Sequence, residues 1–171
     1  MNKTAKDNSV TFPTWKIVQL GTGLRTGMYF DAALHENNCL VEWWGDDLMR
    51  RVYISKQPLS VSLARITCKQ LGLENEYVAR ELVYEKAIAA GLKPCPGEVG
   101  PQLRLQYLDQ PVGETIYVGM EPVISSNDYP GIFVVQRGSA PKGMSPLDSM
   151  CSEAVVSTSG ARNILDGTYG M

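Results

Sequence analysis

The chain has 171 residues, of which 44% are hydrophobic and 20% are charged, and its formal net charge is −2. This length allows one domain with a substantial core, and the small charge excludes a strong general attraction to nucleic acid or anionic membranes. No apolar run approaches the roughly 20 residues of a membrane-spanning helix, and the polar start MNKTAKDNSV lacks the apolar region of a signal peptide. We therefore predict a soluble, cytoplasmic protein.

Four cysteines, Cys39, Cys68, Cys95 and Cys151, are spread along the chain without a CxxC pair. This spacing disfavours a zinc knuckle or a thioredoxin-like motif. We expect reduced, mostly buried thiols, no metal and no cofactor. Cys95 differs from the others because it lies in a loop between two prolines.

The N-terminal part of the chain predicts a strand followed by two helices. Residues 1–11 are polar and are predicted to be a disordered arm. Lys16–Leu20 is rich in β-branched residues and predicts the first strand. Thr26 is a suitable N-cap for a helix that runs to about Glu36, and Trp43–Met49 predicts a second, shorter helix.

The middle of the chain predicts two more strands and a longer helix. Val52–Ile54 and Val61–Cys68 have the composition of strands. Glu76–Ala90 carries apolar residues on one half of a helical wheel, with Asn75 as its expected N-cap. Gly91 fits the left-handed residue that commonly ends a helix.

The next segment alternates strand and turn signals. Leu103–Tyr107 alternates apolar and polar residues and predicts a half-buried strand. Asp109–Gly113 has the composition of a turn, and Thr115–Met120 predicts the returning strand of a hairpin. Ile132–Gln136 predicts a further strand, and short strands joined by turns favour antiparallel pairing.

These elements predict an α+β fold in which a small antiparallel sheet packs against two to three helices. We divide the chain into the disordered arm, a single α+β domain at residues 12–137 and an irregular tail at residues 138–171. The tail is rich in Gly, Ser, Pro and Met and has no sustained period outside Glu153–Ser157, so it is predicted to be mostly irregular.

The run AIAAGLKPCPGEVGPQLRLQYLDQPVGETIYVGMEPV is the most specific stretch of the sequence. It resembles an uncharacterised family of small bacterial proteins that carry a CPxEVGPQLRLQYxDQPxGE segment followed by MEP. The runs WKIVQLGTGLRTG and ARITCKQLGL extend the resemblance over roughly residues 12–136. The resemblance implies no activity, cofactor or catalytic residue.

The C-terminal segment departs from that family, whose members end in a strand segment rich in Trp and in Phe-Val-Phe. Residues 138–171 contain neither feature, which suggests a shifted reading frame or a replaced terminus. A missing last strand would leave an open sheet edge, which favours pairing with another chain.

The glycine run Gly21–Gly27 follows a strand and precedes a helix, and Glu42 comes about 20 residues later. That arrangement imitates a dinucleotide-binding fingerprint, in which glycines let the backbone approach a pyrophosphate. We favour a plain strand-to-helix turn, because the chain lacks the repeated βαβ units of a nucleotide-binding sheet. An anion at the helix N-terminus, assisted by Arg25, is the alternative.

Four residues around the predicted hairpin are the candidates for chemistry. Cys95 could act as a nucleophile, or Glu98 as an acid–base, while Arg104 holds an anionic group and Glu121 supplies a second carboxylate. Each also has a structural interpretation, as a buried thiol or as a charge at a turn or strand end.

Two further pairs are candidates for binding. Arg104 and Gln106 would share one face of the predicted strand, where they could contact a ligand or simply be solvated. Trp43 and Trp44 could form a sugar or peptide platform, although at least one of them is expected in the core. His35, the only histidine, is expected to be solvated, which leaves no Ser-His-Asp set.

Two functions are consistent with these residues. The favoured one is a small binding or interaction module with a protein partner, or with self-association through a sheet edge. Nucleic acid and membranes are not expected partners. The alternative is a small hydrolase or transferase that uses Cys95 or Glu98 with Arg104. The two differ in whether Cys95, Glu98, Arg104 and Glu121 line a common cleft.

Overall fold

The computed structural model describes residues 11–74, 78–138 and 154–159. The α+β prediction is confirmed, since helices and small sheets are both present. Along the chain the elements are β1 (Lys16–Leu20), α1 (Gly27–Glu36), α2 (Trp43–Met49), β2 (Leu59–Ile66), α3 (Arg80–Ala89), α4 (Val99–Gln106), β3 (Thr115–Val118), β4 (Val123–Ile124), β5 (Pro130–Gly131), β6 (Val134–Gln136) and β7 (Ala154–Ser159).

Five of these strands form the main sheet, in the order β1-β2-β7-β3-β6, while β4 and β5 form a separate two-stranded ladder. The pairs β1–β2, β2–β7 and β3–β6 are antiparallel. Antiparallel pairing was predicted for the short strands joined by turns, but β7 was not predicted. The pair β3–β7 is parallel. Strands β1 and β6 are the edges of the main sheet. The outer backbone N–H and C=O groups of each edge strand are therefore not paired with another strand of that sheet.

Strand β7 lies in the segment that was predicted to be irregular. Residues 154–159 run between β2 and β3 and pair with both. For these six residues the prediction of an irregular tail was wrong, because a β-branched run gains two neighbouring strands that sequence order does not reveal. Residues 139–153 and 160–171 lie outside the described residues, as do residues 1–10 of the predicted arm.

The local signals at the N-terminal half are largely confirmed. Strand β1 and helix α2 have the predicted bounds, and α1 begins after Thr26, whose hydroxyl accepts a hydrogen bond from the Tyr29 amide at 3.4 Å. The predicted strand Val52–Ile54 was wrong. The Val52 amide donates to the Leu48 carbonyl at the end of α2, so this segment closes a helix instead of joining a sheet.

Helix α3 ends as predicted, but its described helical residues begin later than expected. Gly91 follows its C-terminus with a φ of 83°, in the left-handed region that glycine favours. The helix begins at Arg80 after Ala79, whereas the sequence predicted a start at Glu76. The expected cap, Asn75, lies outside the described residues.

Helix α4 is the main correction, because Leu103–Tyr107 was predicted to be a strand. Residues 99–106 are helical, and the predicted hairpin with the following strand does not form. Pro101 lies in the first turn, where a missing N–H costs no helical hydrogen bond. The alternation at 103–107 hid a second period: polar residues recur at every fourth position, at Glu98, Gln102 and Gln106.

The core lies where α4 packs on strands β1 and β6 of the main sheet and on α1, with α2 beside α1. None of the helices among the described residues is long and apolar enough to cross a membrane. The apolar side chains that are completely buried come from these helices and from the three strands β1, β2 and β3: Val18, Phe30, Val61, Leu63, Ala64, Val99, Leu103, Ile116 and Val118.

Candidate functional site: a buried polar column and an aromatic groove

A carboxylate inside the protein ties three segments of the chain together. Glu98, only 1% exposed, directly precedes α4. Its Oε1 accepts hydrogen bonds from the Gly21 amide at 2.9 Å and from Gln102 Nε2 at 3.0 Å, and its Oε2 accepts one from the Ser55 amide at 2.7 Å. Three N–H donors on two oxygens compensate the loss of water that burial imposes on a carboxylate.

The same helix face continues this column of polar side chains. Gln102 Nε2 also donates to Thr22 Oγ1 at 2.8 Å, and Gln102 Oε1 accepts from Gln106 Nε2 at 2.9 Å. Gln106 then bonds the Gln19 backbone in both directions, through its Nε2 at 2.8 Å and its Oε1 at 2.9 Å. Side chains at every fourth position of α4 thus hold β1 and the turn that follows it.

The glycine run after β1 serves this packing. Gly21 has a φ of 64°, and an added Cβ would lie 2.1 Å from the Gln57 carbonyl oxygen, so only glycine fits there. Its amide, one of the groups that a dinucleotide fingerprint would offer to a phosphate, donates instead to Glu98. Thr26 caps α1. This geometry favours the plain strand-to-helix turn.

The four candidates for chemistry do not meet in one cleft. Cys95 is 4% exposed and belongs to the apolar core, where its amide donates to the Gly119 carbonyl at 2.7 Å. Glu98 is buried with its oxygens occupied, whereas Glu121 is exposed. Arg104 lies along α4 and contacts a different set of groups. Within the described residues this arrangement offers no accessible nucleophile beside an acid and a cation.

The expectation that Arg104 and Gln106 share a strand face was wrong. Both residues belong to α4, where positions two apart point about 200° away from each other. Gln106 points to the Gln19 backbone. Arg104 Nη1 instead donates to the Tyr107 carbonyl at 3.3 Å and to Gln110 Oε1 at 3.0 Å.

Gln110 is a functional candidate that the sequence did not reveal. It is completely buried, and its Nε2 donates to the Val135 carbonyl at 3.0 Å and to the Glu114 carbonyl at 3.2 Å. Its side-chain Oε1 accepts a hydrogen bond from Arg104 Nη1 at 3.0 Å, and its backbone oxygen accepts one from Arg137 Nη1 at 2.8 Å. A buried amide with these partners fixes two arginines in place. No local sequence signal identifies it, because Gln110 lies beyond the end of α4 and its partners Val135 and Arg137 are 25 and 27 residues away along the chain.

A groove of about 1630 Å³ lies between α2, α4 and the β5–β6 region. Three of the four predicted binding residues, Trp43, Trp44 and Arg104, line it, and Gln106 does not. The two tryptophan rings are neighbours, with centroids 4.0 Å apart and planes inclined at 31°. The structure thus brings the tryptophan pair and the arginine to one concave surface.

The rim of the groove exposes large apolar side chains. Leu40 is 94% exposed, and Trp43, Tyr129 and Leu108 are 58%, 59% and 46% exposed, and all four line the groove. An isolated exposed apolar residue is ordinary, but several along one concavity mark a binding surface. We call these four residues the apolar rim.

An acidic residue of α2 fixes the loop that carries Tyr129. Asp47 Oδ2 accepts a hydrogen bond from the Ser126 amide at 2.7 Å, and its Oδ1 accepts one from Arg51 Nε at 3.0 Å. The Ser126 amide is the main cause, and Arg51 a further one, of a pKa of the Asp47 carboxyl below its ordinary value. The two walls of the groove, α2 and the loop before β5, are therefore tied directly to each other.

A second polar cluster is formed by residues that do not line the groove. Arg65 Nη2 pairs with Glu114 Oε1 at 2.6 Å, and the guanidinium lies 5.5 Å from the centroid of the Trp15 ring. Lys16 Nζ lies 4.6 Å from the centroid of the Tyr107 ring, which meets Trp15 edge to face. Burial, followed by the neighbouring Glu114 carboxylate, raises the pKa of the Tyr107 hydroxyl. Each charge here already has a partner, so the cluster is best explained as structure.

The described residues contain no group of three or more His, Cys, Asp or Glu side chains that could hold a metal ion. His35 is exposed, as expected, and its Nδ1 lies 3.3 Å from Oδ1 of Asp31 on α1. Among the described residues, Cys39, Cys68 and Cys95 are buried.

Comparisons of the chain with protein-family models, curated proteins and solved structures found no match. The resemblance to the family of small bacterial proteins stays a prediction.

Proposed function

We propose that the protein is a non-catalytic binding module that receives a polypeptide segment of a partner protein in the groove between α2 and β6. The apolar rim carries this proposal: four large side chains are exposed along one concave surface. Burying them against a partner would release water from apolar area, which is the main driving force of association.

The size of the groove favours a polypeptide over a small metabolite. Small-molecule sites usually enclose about 300–1,000 Å³. The groove has about 1630 Å³, which exceeds that range. Its tryptophan pair and Tyr129 also belong to the residue types that dominate binding energy at protein interfaces.

The alternative function, a small hydrolase or transferase, has less support. Its proposed nucleophile, Cys95, is buried in the core, and its proposed acid–base, Glu98, has both oxygens engaged by backbone and side-chain donors. Neither residue lines the groove.

Location and mode of association are part of the same proposal. We place the protein in the bacterial cytoplasm, which is supported by the resemblance to the family of small bacterial proteins. We assign the partner to the groove instead of to a sheet edge at β1, because Gln106 already occupies the Gln19 backbone there.

Site-specific photo-cross-linking tests the groove. A photoreactive amino acid would replace Trp43, and in a matched control it would replace Ile88, which is 56% exposed on α3 and outside the groove. In cells of the source organism we expect a discrete cross-linked protein from position 43 and none from position 88. Leu40→Lys should suppress the product. Equal products at both positions, or none at position 43, would contradict the proposal.

A further inference from the structure

Arg104 and Arg137 both contact Gln110, which lies beyond the C-terminal end of α4. Arg104 Nη1 lies 3.0 Å from the side-chain oxygen of Gln110, and Arg137 Nη1 lies 2.8 Å from the backbone oxygen of the same residue. Both arginines line the groove. Since Gln110 is completely buried, the two guanidinium groups are attached to a rigid point.

Each of the two guanidinium groups has N–H donors that form no hydrogen bond with the described residues. A guanidinium has five N–H groups, and the hydrogen bonds of Arg104 and Arg137 with described residues all use Nη1. Neither arginine forms an ion pair within the described part of the chain. The only carboxylate among the described groove residues is Glu42, which directly precedes α2. Two positive charges with unused donors therefore border an apolar groove.

We infer that Arg104 and Arg137 form a carboxylate-binding subsite, and that the polypeptide bound in the groove carries an Asp or Glu beside its apolar residues. The inference rests on the proposed function and names the chemistry of the partner. Guanidinium donors match the two oxygens of a carboxylate, and donors that are already fixed lose little entropy on binding. A free chain terminus is less suitable, because terminal carboxylates are typically captured by backbone amides, whereas arginine clusters recognise acidic motifs.

Selection from a library of short random peptides, displayed so that both ends are covered, tests the subsite with the purified full-length protein. We expect the enriched peptides to combine apolar residues with Asp or Glu. An enriched peptide would then be synthesised with both ends blocked. Arg137→Gln and Arg104→Gln should each weaken the binding of this peptide by about 10-fold or more. Arg25→Gln is the matched control, since Arg25 is exposed and outside the groove, and it should bind like the unmodified protein.

The outcomes separate the subsite from the groove itself. Enriched peptides that lack acidic residues and bind equally well to the arginine variants would overturn the carboxylate subsite and leave the groove proposal intact. Binding that needs a free C-terminus or a phosphate would also overturn it. Enrichment no greater than on Trp43→Lys would overturn both. Thermal unfolding of each variant checks that it folds. If Arg104→Gln does not fold, the test relies on Arg137→Gln, because Arg137 is exposed.

Discussion

The side-chain amide of Gln106 pairs with the backbone of Gln19 as a neighbouring strand would. Its Nε2 donates to the Gln19 carbonyl at 2.8 Å and its Oε1 accepts the Gln19 amide at 2.9 Å. Because β1 is an edge of the main sheet, these backbone groups would otherwise be available to a strand of another molecule. A helix thereby protects a sheet edge with one glutamine.

Replacing Gln106 should weaken the fold and uncover this edge. We expect Gln106→Ala to lower the free energy of unfolding by about 1 kcal/mol, since the lost hydrogen bonds are partly solvated. It should also increase self-association with concentration. Urea unfolding and sedimentation velocity measure the two effects. Gln57→Ala, an exposed glutamine, is the control and should change neither. A monomeric Gln106→Ala of unchanged stability would show that the pairing does not protect the edge.

Glu98 should act as a structural acceptor. In Glu98→Gln one oxygen becomes an NH₂ group, and in either orientation it faces a backbone donor, from Gly21 or from Ser55. We expect a loss of about 1–3 kcal/mol in the free energy of unfolding, measured in urea. Glu121→Gln, at an exposed position, should be neutral. If both variants unfold at the same urea concentration as the unmodified protein, the structural role is wrong.

The stability that Asp47 provides should depend on pH in acid. Its pKa in the folded protein lies below the ordinary value of 3.8, so the folded state favours the ionised carboxylate. That stabilisation is present above pH 3.8 and is lost as the pH falls through the folded-state pKa. Thermal unfolding should show a difference between the unmodified protein and Asp47→Asn at neutral pH, and the difference should disappear in strong acid. A difference that stays constant would contradict the assignment.

Local signals in the sequence predicted those elements whose ends are set by neighbouring residues. Thr26 supplies a cap within its own turn, and Gly91 adopts the positive φ that ends α3. The tryptophan pair lies at the surface, where Trp43 is 58% exposed, but the groove that contains it also needs the distant loop at Tyr129. Such signals act over a few residues, so no tertiary information is needed to read them.

Two parts of the fold could not be read this way. The stretch at 103–107 satisfies a period of two, and only the longer spacing of Glu98, Gln102 and Gln106 reveals the helix. The placement of β7 depends on pairing with β2, some 90 residues earlier along the chain, and no local pattern encodes that distance. The role of Gln110 was hidden for the same reason, because its partners follow from tertiary packing.

Gly100 should be intolerant of even one added methyl group. A Cβ at this position would lie 2.3 Å from Cδ2 of Phe133 and 2.6 Å from its Cβ, which cannot move without the backbone. Alanine normally stabilises a helix by about 1 kcal/mol relative to glycine, but overpacking typically costs about 1–3 kcal/mol. We expect the overlap to dominate, so that Gly100→Ala lowers the free energy of unfolding in urea.

Gly45 in α2 provides the matched control, since its added Cβ would meet Val41 Cγ1 at an ordinary 3.5 Å. Gly45→Ala should therefore stabilise the protein, by up to about 1 kcal/mol. In a Phe133→Ala background, which removes the ring, Gly100→Ala should cost less than it does alone, and this coupling identifies the ring as the obstacle. Equal effects of Gly100→Ala and Gly45→Ala would mean that α4 can move away from Phe133.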